Sequence, residues 1–107
     1  MVGKLWKVVI TRNARRSLSN INGYYKEHAS PAVAKKVRNG LVAEARSLEK
    51  LPASKPLLPT KKKASPPYRY TKKWSFKIIF QIYKKKDQVS VIEFLHDKES
   101  PNRWEGL

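Results

Sequence analysis

The chain has 107 residues, which is enough for one domain with a modest core but not for two independent cores. Its 24 Lys and Arg against 8 Asp and Glu give a net charge of +16, and such an excess predicts a polyanionic partner. The absence of cysteine excludes disulfides and thiol nucleophiles, and the two histidines and scattered acids show no metal-ligand spacing. We therefore expect a single domain over residues 1–107 that uses no metal and no cofactor.

The positive charge is concentrated in one part of the chain. Residues 55–86 contain eleven Lys and Arg and no Asp or Glu, whereas all eight acids lie elsewhere. Nucleic acid, an acidic protein and an anionic membrane are all polyanions that such a stretch could bind. The sequence has no run of about 18 apolar residues, and residues 1–16 lack the apolar core of a signal peptide. We expect a soluble cytoplasmic protein that contacts no membrane.

The first predicted elements are a strand and a helix that follows it directly. The β-branched segment LWKVVI, residues 5–10, favours a short strand, and Thr11 with Asn13 is typical of a helix start. Apolar side chains then recur at steps of four, three and four. They are Ala14, Leu18, Ile21 and Tyr25. This spacing predicts one amphipathic helix, weakened at Gly23.

A second helix is predicted after the segment HASPA. Ser30 is a good N-cap, and Pro31 fits the first helical position. The backbone N–H at that position has no hydrogen-bond partner within the helix, so proline loses nothing there. The apolar stripe of this helix consists of Ala34, Val37, Leu41, Ala45 and Leu48. The helix should end before Pro52. The short link between the two helices predicts an antiparallel helix hairpin.

The chain changes character after the second helix. Residues 52–67 contain five of the seven prolines and predict an extended connection with few hydrogen bonds. Three short strands are expected after it, at residues 68–72, 76–83 and 89–96, and the tight link KKKDQ joins the last two.

The middle one of these strands has one fully apolar face. Because successive side chains of a strand point to opposite faces of the sheet, this face consists of Phe76, Ile78, Phe80 and Ile82. It should pack against the helix hairpin and leave Lys77 displayed on the opposite face. The predicted fold is a two-layer α+β domain of order β-α-α-β-β-β with a mostly antiparallel sheet.

The order and separation of several local patterns resemble the RelE/ParE superfamily of toxins from bacterial toxin–antitoxin modules. The patterns are WKVVITRNARRSLSNINGYY, SPAVAKKVRNGLVAEARSLEKLP with its terminal Leu-x-x-Leu-Pro, YRY, FKIIFQI and VSVIEFLHDKESP. The resemblance covers about residues 5–104 and implies a small cytoplasmic toxin that an antitoxin peptide neutralises. It also implies one of two activities, because one branch of the superfamily cleaves mRNA on the ribosome and the other poisons DNA gyrase.

His96 is the candidate acid or base for RNA cleavage. Metal-free cleavage needs a base for the 2′-OH, cations for the charge that develops on the phosphate, and an acid for the leaving 5′ oxygen. His96 ends the last strand and is the only imidazole of the sheet region. A structural histidine that caps the strand end is the alternative. Several superfamily members carry a histidine there, in both branches, so the resemblance favours a role without choosing the target.

Arg69, Lys73 and Lys77 are the candidate phosphate clamp. The resemblance implies this role, because RelE-like nucleases place Arg and Lys of the corresponding strands against the scissile phosphate. Lys77 stands where those enzymes commonly carry Arg, and a lysine lacks the bidentate fork of a guanidinium. The alternative for all three is a solvated polar face.

Further substrate contacts are predicted around this clamp. Lys61, Lys62 and Lys63 in the proline-rich connection would attract phosphates, unless they form a merely solvated loop. Lys72 is assigned to the same substrate surface. Some RelE-like nucleases use a Tyr near the C-terminus, where this chain has Trp104, which can stack on a base but cannot transfer a proton.

The first hypothesis is a ribosome-dependent mRNA endonuclease with an acidic antitoxin as its partner. That antitoxin should carry several Asp and Glu with a few apolar anchors, and it should fold as it binds. One alternative is a ParE-like inhibitor of DNA gyrase that binds protein without catalysis. Another is a degenerate member of the superfamily without toxicity.

Overall fold

A computed structural model describes residues 3–61 and 63–96. The helices and strands are β1 (Lys7–Ile10), α1 (Arg12–His28), α2 (Pro31–Arg46), β2 (Arg69–Lys73), β3 (Phe76–Tyr83) and β4 (Gln88–His96). The strands form one sheet of order β1-β4-β3-β2, in which β1 and β4 are parallel and the other neighbours antiparallel. The predicted α+β order β-α-α-β-β-β is confirmed.

The strand ends differ from the predicted ones by up to two residues. β1 begins at Lys7 because its partner β4 begins at Gln88, and Leu5 makes only an isolated bridge to Lys50. β2 is displaced by one residue and β4 starts one residue earlier, whereas β3 has the predicted bounds. The pairing partner, and not the local propensity, therefore decides where these strands end.

Both helices begin at the predicted caps. Thr11 Oγ1 accepts a hydrogen bond from the Ala14 amide at 3.3 Å, and Ser30 Oγ accepts one from the Val33 amide at 3.1 Å. Gly23 does not interrupt α1. Only residues 29–30 separate the two helices, so they pack as the predicted hairpin.

The main core lies between the helix hairpin and one face of the sheet. The four apolar residues predicted for one face of β3 all belong to it, so that prediction is confirmed. The buried members are Ala14, Leu18, Leu41, Ala45, Leu48, Phe76, Ile78, Phe80, Ile82, Val89, Val91 and Phe94. Burial of each large side chain of this set contributes about 1.5–3 kcal/mol to folding. This cluster fixes how the helices lie on β3 and β4.

Polar contacts hold α1 against β4 at a β-bulge. The register of β4 shifts opposite Ile79–Phe80 of β3, and Ile92 is the extra residue. Asn13 Nδ2 donates to the Ile92 carbonyl at 2.7 Å, and the Ser17 hydroxyl donates to the buried carboxylate of Glu93. A bulge takes backbone groups out of the strand ladder, and the Asn13 side chain bonds to one of them, the Ile92 carbonyl.

The outer face of the sheet is less polar than the sequence predicted. Ile79 is buried on that face under Leu58 of the proline-rich connection. The Leu58 amide donates to the Tyr68 carbonyl at 2.9 Å, and the Tyr70 amide donates to the Pro56 carbonyl at 3.1 Å. The connection that was predicted to be extended and poor in hydrogen bonds therefore pairs with β2 over a short stretch. The connection folds back along β2 because the edge of that strand offers unpaired backbone groups.

Two helical glycines provide a matched test of this packing. A Cβ at Gly40 of α2 would clash with the indole of Trp74, whereas one at Gly23 of α1 would meet no atom within 4 Å. Gly23→Ala should raise the free energy of unfolding by about 0.5–1 kcal/mol, because alanine is the better helix former. Gly40→Ala should gain less or destabilise the domain, because the indole must move. Urea unfolding followed by circular dichroism measures both changes, and equal stabilisation would contradict the packing of Trp74 on α2.

Candidate functional site at the His96 end of the sheet

One row of paired residues crosses three strands at the end of the sheet. Lys73 of β2 pairs with Phe76 of β3, and Phe76 pairs with His96 of β4. Neighbouring strands are about 4.8 Å apart, so the Cα atoms of Lys73 and His96 are about 10 Å apart. Paired residues share a face of the sheet, and Phe76 belongs to the core under the helices. Lys73 and His96 therefore lie together on the helix side.

A series of ring contacts leads from His96 to the end of α1. The ring centroid of Phe76 is 5.0 Å from that of His96 and 6.5 Å from that of Tyr25, both in edge-to-face geometry. Tyr25 is 5.3 Å from Tyr24, and Tyr24 is 4.4 Å from His28. This aromatic row, His96–Phe76–Tyr25–Tyr24–His28, extends from the site to the last turn of α1, with His28 at its far end.

The sequence did not predict the α1 members of the aromatic row as site residues. One signal was available, because Tyr24 and His28 are four residues apart and so share one face of a helix. Tyr25 belongs to the apolar stripe of α1. This position indicates packing in the core and gives no sign of a nearby site. Their approach to His96 depends on the direction in which α1 crosses the sheet.

The turn between β2 and β3 places Trp74 on α2. Trp74 has a φ of 53°, a left-handed conformation that costs a non-glycine residue about 1–2 kcal/mol. Its indole is half exposed and lies against Gly40, and the Lys73 ammonium is 4.7 Å from its ring centroid. The contacts with Gly40 and Lys73 stabilise the unfavourable backbone conformation of Trp74. They also hold the Lys73 ammonium at this end of the sheet.

Lys77 and Lys72 lie on the other face of the same strands. They pair with each other across β2 and β3, and Leu95, the partner of Lys77 in β4, belongs to the outer apolar cluster. The Lys77 ammonium is 5.5 Å from the ring centroid of Tyr70. Lys73 and Lys77 of the predicted clamp thus lie on opposite faces of the sheet. They can contact the same phosphate only if that phosphate lies at the edge of the sheet.

Arg69 lies at the far end of β2. It pairs with Phe80 and is four residues from Lys73, which corresponds to about 13 Å along the strand. Its Nη1 donates to the carbonyls of Lys55 at 2.6 Å and Ala53 at 3.3 Å. These bonds hold the guanidinium against the segment that follows α2. The structure does not bring Arg69 beside His96.

The remaining predicted contacts are not part of this cluster. Lys61 and Lys63 are exposed in the proline-rich connection, and Lys62 and Trp104 lie outside the described residues. Within residues 3–61 and 63–96, no three side chains of the metal-ligating types come together. In the same part of the chain, neither helix is long and apolar enough to cross a membrane.

The site supplies an imidazole and an ammonium on one face of the sheet. An imidazole accepts or gives a proton near neutral pH, and an ammonium stabilises negative charge that develops on a phosphate. The half-exposed rings of Trp74 and Tyr24 offer flat surfaces on which bases can stack. An imidazole and an ammonium are two of the three kinds of group that metal-free phosphodiester cleavage needs.

His96→Ala tests the acid or base role. The domain should stay folded, because His96 is only half-buried at a strand end, and RNA cleavage should slow by roughly 10² to 10⁴. Cleavage of a ribosome-bound mRNA in a purified translation system measures the rate. His28→Ala is the matched control, since it removes the imidazole at the other end of the aromatic row and should leave the rate unchanged. A folded His96→Ala protein that cuts as fast as the parent would exclude the role.

Comparison with known proteins identifies relatives of this fold. Residues 8–101 match the family described as ParE toxin of type II toxin-antitoxin system, parDE. No curated protein is significantly similar in sequence. A chain of the chromosomal ParDE system from P. aeruginosa is 18% identical with a TM-score of 0.71, over 88% of this chain and 98% of its own. A chain of the toxin-antitoxin complex RelBE2 from Mycobacterium tuberculosis is 15% identical with a TM-score of 0.62, over 86% and 98%.

Proposed function

The chain belongs to the ParE toxin family of type II toxin–antitoxin systems, and from this premise we propose that the toxin is a ribosome-dependent mRNA endonuclease. One observation carries the proposal: Lys73 and His96 lie on the same face of the sheet, in one row of paired residues. Their Cα atoms are about 10 Å apart, and at this distance an imidazole and an ammonium can both reach one phosphodiester, which supports the proposal.

In the proposed reaction, His96 accepts the proton of an RNA 2′-OH, and the 2′ oxygen attacks the neighbouring phosphorus. The bond between phosphorus and the 5′ oxygen breaks, which leaves a 2′,3′-cyclic phosphate on one fragment and a 5′-OH on the other. Lys73 stabilises the negative charge on the non-bridging oxygens. The phenol of Tyr25, two ring contacts from His96, is our candidate for the acid that protonates the leaving oxygen. The reaction takes place in the cytoplasm, where mRNA is translated.

Inhibition of DNA gyrase is the second candidate function. It is favoured by the family match and by the higher TM-score with the ParDE chain, 0.71 against 0.62 for the RelBE2 chain. In that case the basic surface would bind gyrase or its complex with DNA, and His96 would pack the strand end without catalysis.

Induction of the protein in growing cells separates these functions. The endonuclease should produce mRNA cuts at codon boundaries while chromosomal DNA stays intact, because its target is the translated message. A gyrase inhibitor should instead produce double-strand breaks and an SOS response with intact mRNA. Sequencing of RNA 5′ ends and pulsed-field gels from the same culture measure both, with His96→Ala as the control that should lose the RNA cuts. Normal growth and intact nucleic acids would support a degenerate, non-toxic member.

The partner we propose is an acidic antitoxin segment that covers the helix hairpin and the His96 end. Three large apolar side chains are exposed on this side of the molecule: Tyr24 (57%), Val33 (41%) and Trp74 (51%). Exposed cations on α2 lie near them, namely Lys35, Lys36 and Arg38. A disordered segment with apolar anchors and several acids would fold as an amphipathic helix on such a surface. It would neutralise the toxin by covering Lys73 and His96.

Substitution of an exposed ring tests where this partner binds. Co-expression with the small protein encoded beside the toxin should restore growth and give a stable complex on purification. Trp74→Glu should weaken the complex by roughly 30-fold or more, because aromatic anchors dominate such interfaces. Leu57→Glu is the matched control, with 56% exposure against 51%, and should leave the affinity unchanged. Titration calorimetry measures both, and an equal loss would place the antitoxin elsewhere.

A further inference from the structure

We propose that the turn between β3 and β4 forms a second site, a groove that binds the backbone of a single-stranded nucleic acid. An open groove of about 620 Å³ lies there, and its lining includes Pro66, Arg69, Tyr83 and Lys84–Lys86. We call it the basic groove. It is at the opposite end of β3 from the catalytic row, since the rise from Phe76 to Tyr83 corresponds to about 23 Å. The groove is therefore separate from the His96 site.

The basic groove carries unbalanced positive charge. Arg69 and the three lysines of Lys84–Lys86 line it, and its described lining contains no acid. The three lysines are exposed, and none of them pairs with a carboxylate within the described residues. The next residue, Asp87, is ion-paired with Lys4 and is not part of the lining. Mutual repulsion of these cations is unfavourable, and bound phosphates would relieve it.

Hydrogen bonds hold the walls of the groove. Arg69 Nη1 donates to the Lys55 carbonyl at 2.6 Å, and Gln81 Nε2 donates to the Pro66 carbonyl at 2.8 Å. The Tyr83 hydroxyl donates to Oε1 of the same Gln81 at 3.3 Å, which orients the phenol ring. These bonds fix the walls of the groove, and fixed walls lower the ordering cost of binding.

Flat apolar surface beside the cations favours a nucleic acid strand over an acidic peptide. Pro66, Pro67 and the ring of Tyr83 line the groove together with Lys84–Lys86. Single-stranded nucleic acids bind where cations follow the phosphates and rings stack on the bases. A volume in the range of about 300–1,000 Å³ holds a molecule of roughly nucleotide size, and the rest of the strand would extend along the surface. Binding here requires neither His96 nor cleavage, so the proposal is independent of the proposed reaction.

Fluorescence anisotropy with a labelled 2′-O-methyl oligoribonucleotide tests the groove, because this probe has no free 2′-OH and cannot be cut by 2′-OH attack. The groove variant combines Lys84→Gln, Lys85→Gln and Lys86→Gln. It should weaken binding by roughly ten-fold at low salt and flatten the slope of log K against log salt by about 2, since each neutralised phosphate contributes about 0.7. The matched control combines Arg12→Gln, Arg15→Gln and Arg16→Gln, three exposed cations of α1, and should retain the parent slope.

Tyr83→Leu separates stacking from charge. It should lower the affinity about five-fold or more while the salt slope stays the same, because the ring face is lost and the cations remain. Equal losses in the two triple variants would show that net charge alone governs binding and would overturn the proposal. A polyglutamate peptide that competes as strongly as an unlabelled oligonucleotide would also overturn it, in favour of an acidic protein. Circular dichroism establishes folding, and Lys85→Gln alone, with an expected slope change of about 0.7, replaces a triple variant that does not fold.

Discussion

The central strands β3 and β4 are covered on both faces, and the rest of the molecule depends on this double coverage. The helix hairpin covers one face, and Leu58 with its neighbours covers part of the other. Backbone groups buried in this way need hydrogen-bond partners, including those that the bulge in β4 removes from the ladder. Asn13 and Ser17 of α1 bond to the bulged segment. These bonds hold α1 on β4, and Tyr25 in the last turn of α1 contacts Phe76, the neighbour of His96.

Three acidic residues of the described chain contact other parts of the protein. Glu93 accepts a hydrogen bond from Ser17, Glu44 accepts one from Thr71 at 2.8 Å, and Asp87 is paired with Lys4. The first two contacts tie helices to the sheet, and residues 55–86 themselves contain no Asp or Glu. The positive surface is therefore a property of the sheet and its connections, and the folded state has to tolerate its self-repulsion.

The family and the fold were accessible from the sequence, because both depend on local patterns. The two-residue period of β3, the Ser30-Pro31 helix start and the proline-rich break define the elements and their order. The predicted superfamily is confirmed by the match over residues 8–101, and the ParDE and RelBE2 chains have the same fold at TM-scores of 0.71 and 0.62. The site was accessible only in part. Lys77 lies on the face opposite Phe76, as the period of β3 predicted, but the sequence could not show that Lys73 and His96 share the face of Phe76.

The sequence by itself determined the composition of the surface, the identity of the elements and the side of β3 that is buried, since charge and periodicity are readable residue by residue. Only the tertiary structure decided which cations share a face with His96, that Arg69 bonds to the carbonyls of Ala53 and Lys55, and that Tyr25 reaches the site. The physical reason is that strand register, a one-residue bulge and helix direction are set by contacts between residues distant in sequence. A shift of one residue in register moves a side chain to the opposite face, and no local pattern records it.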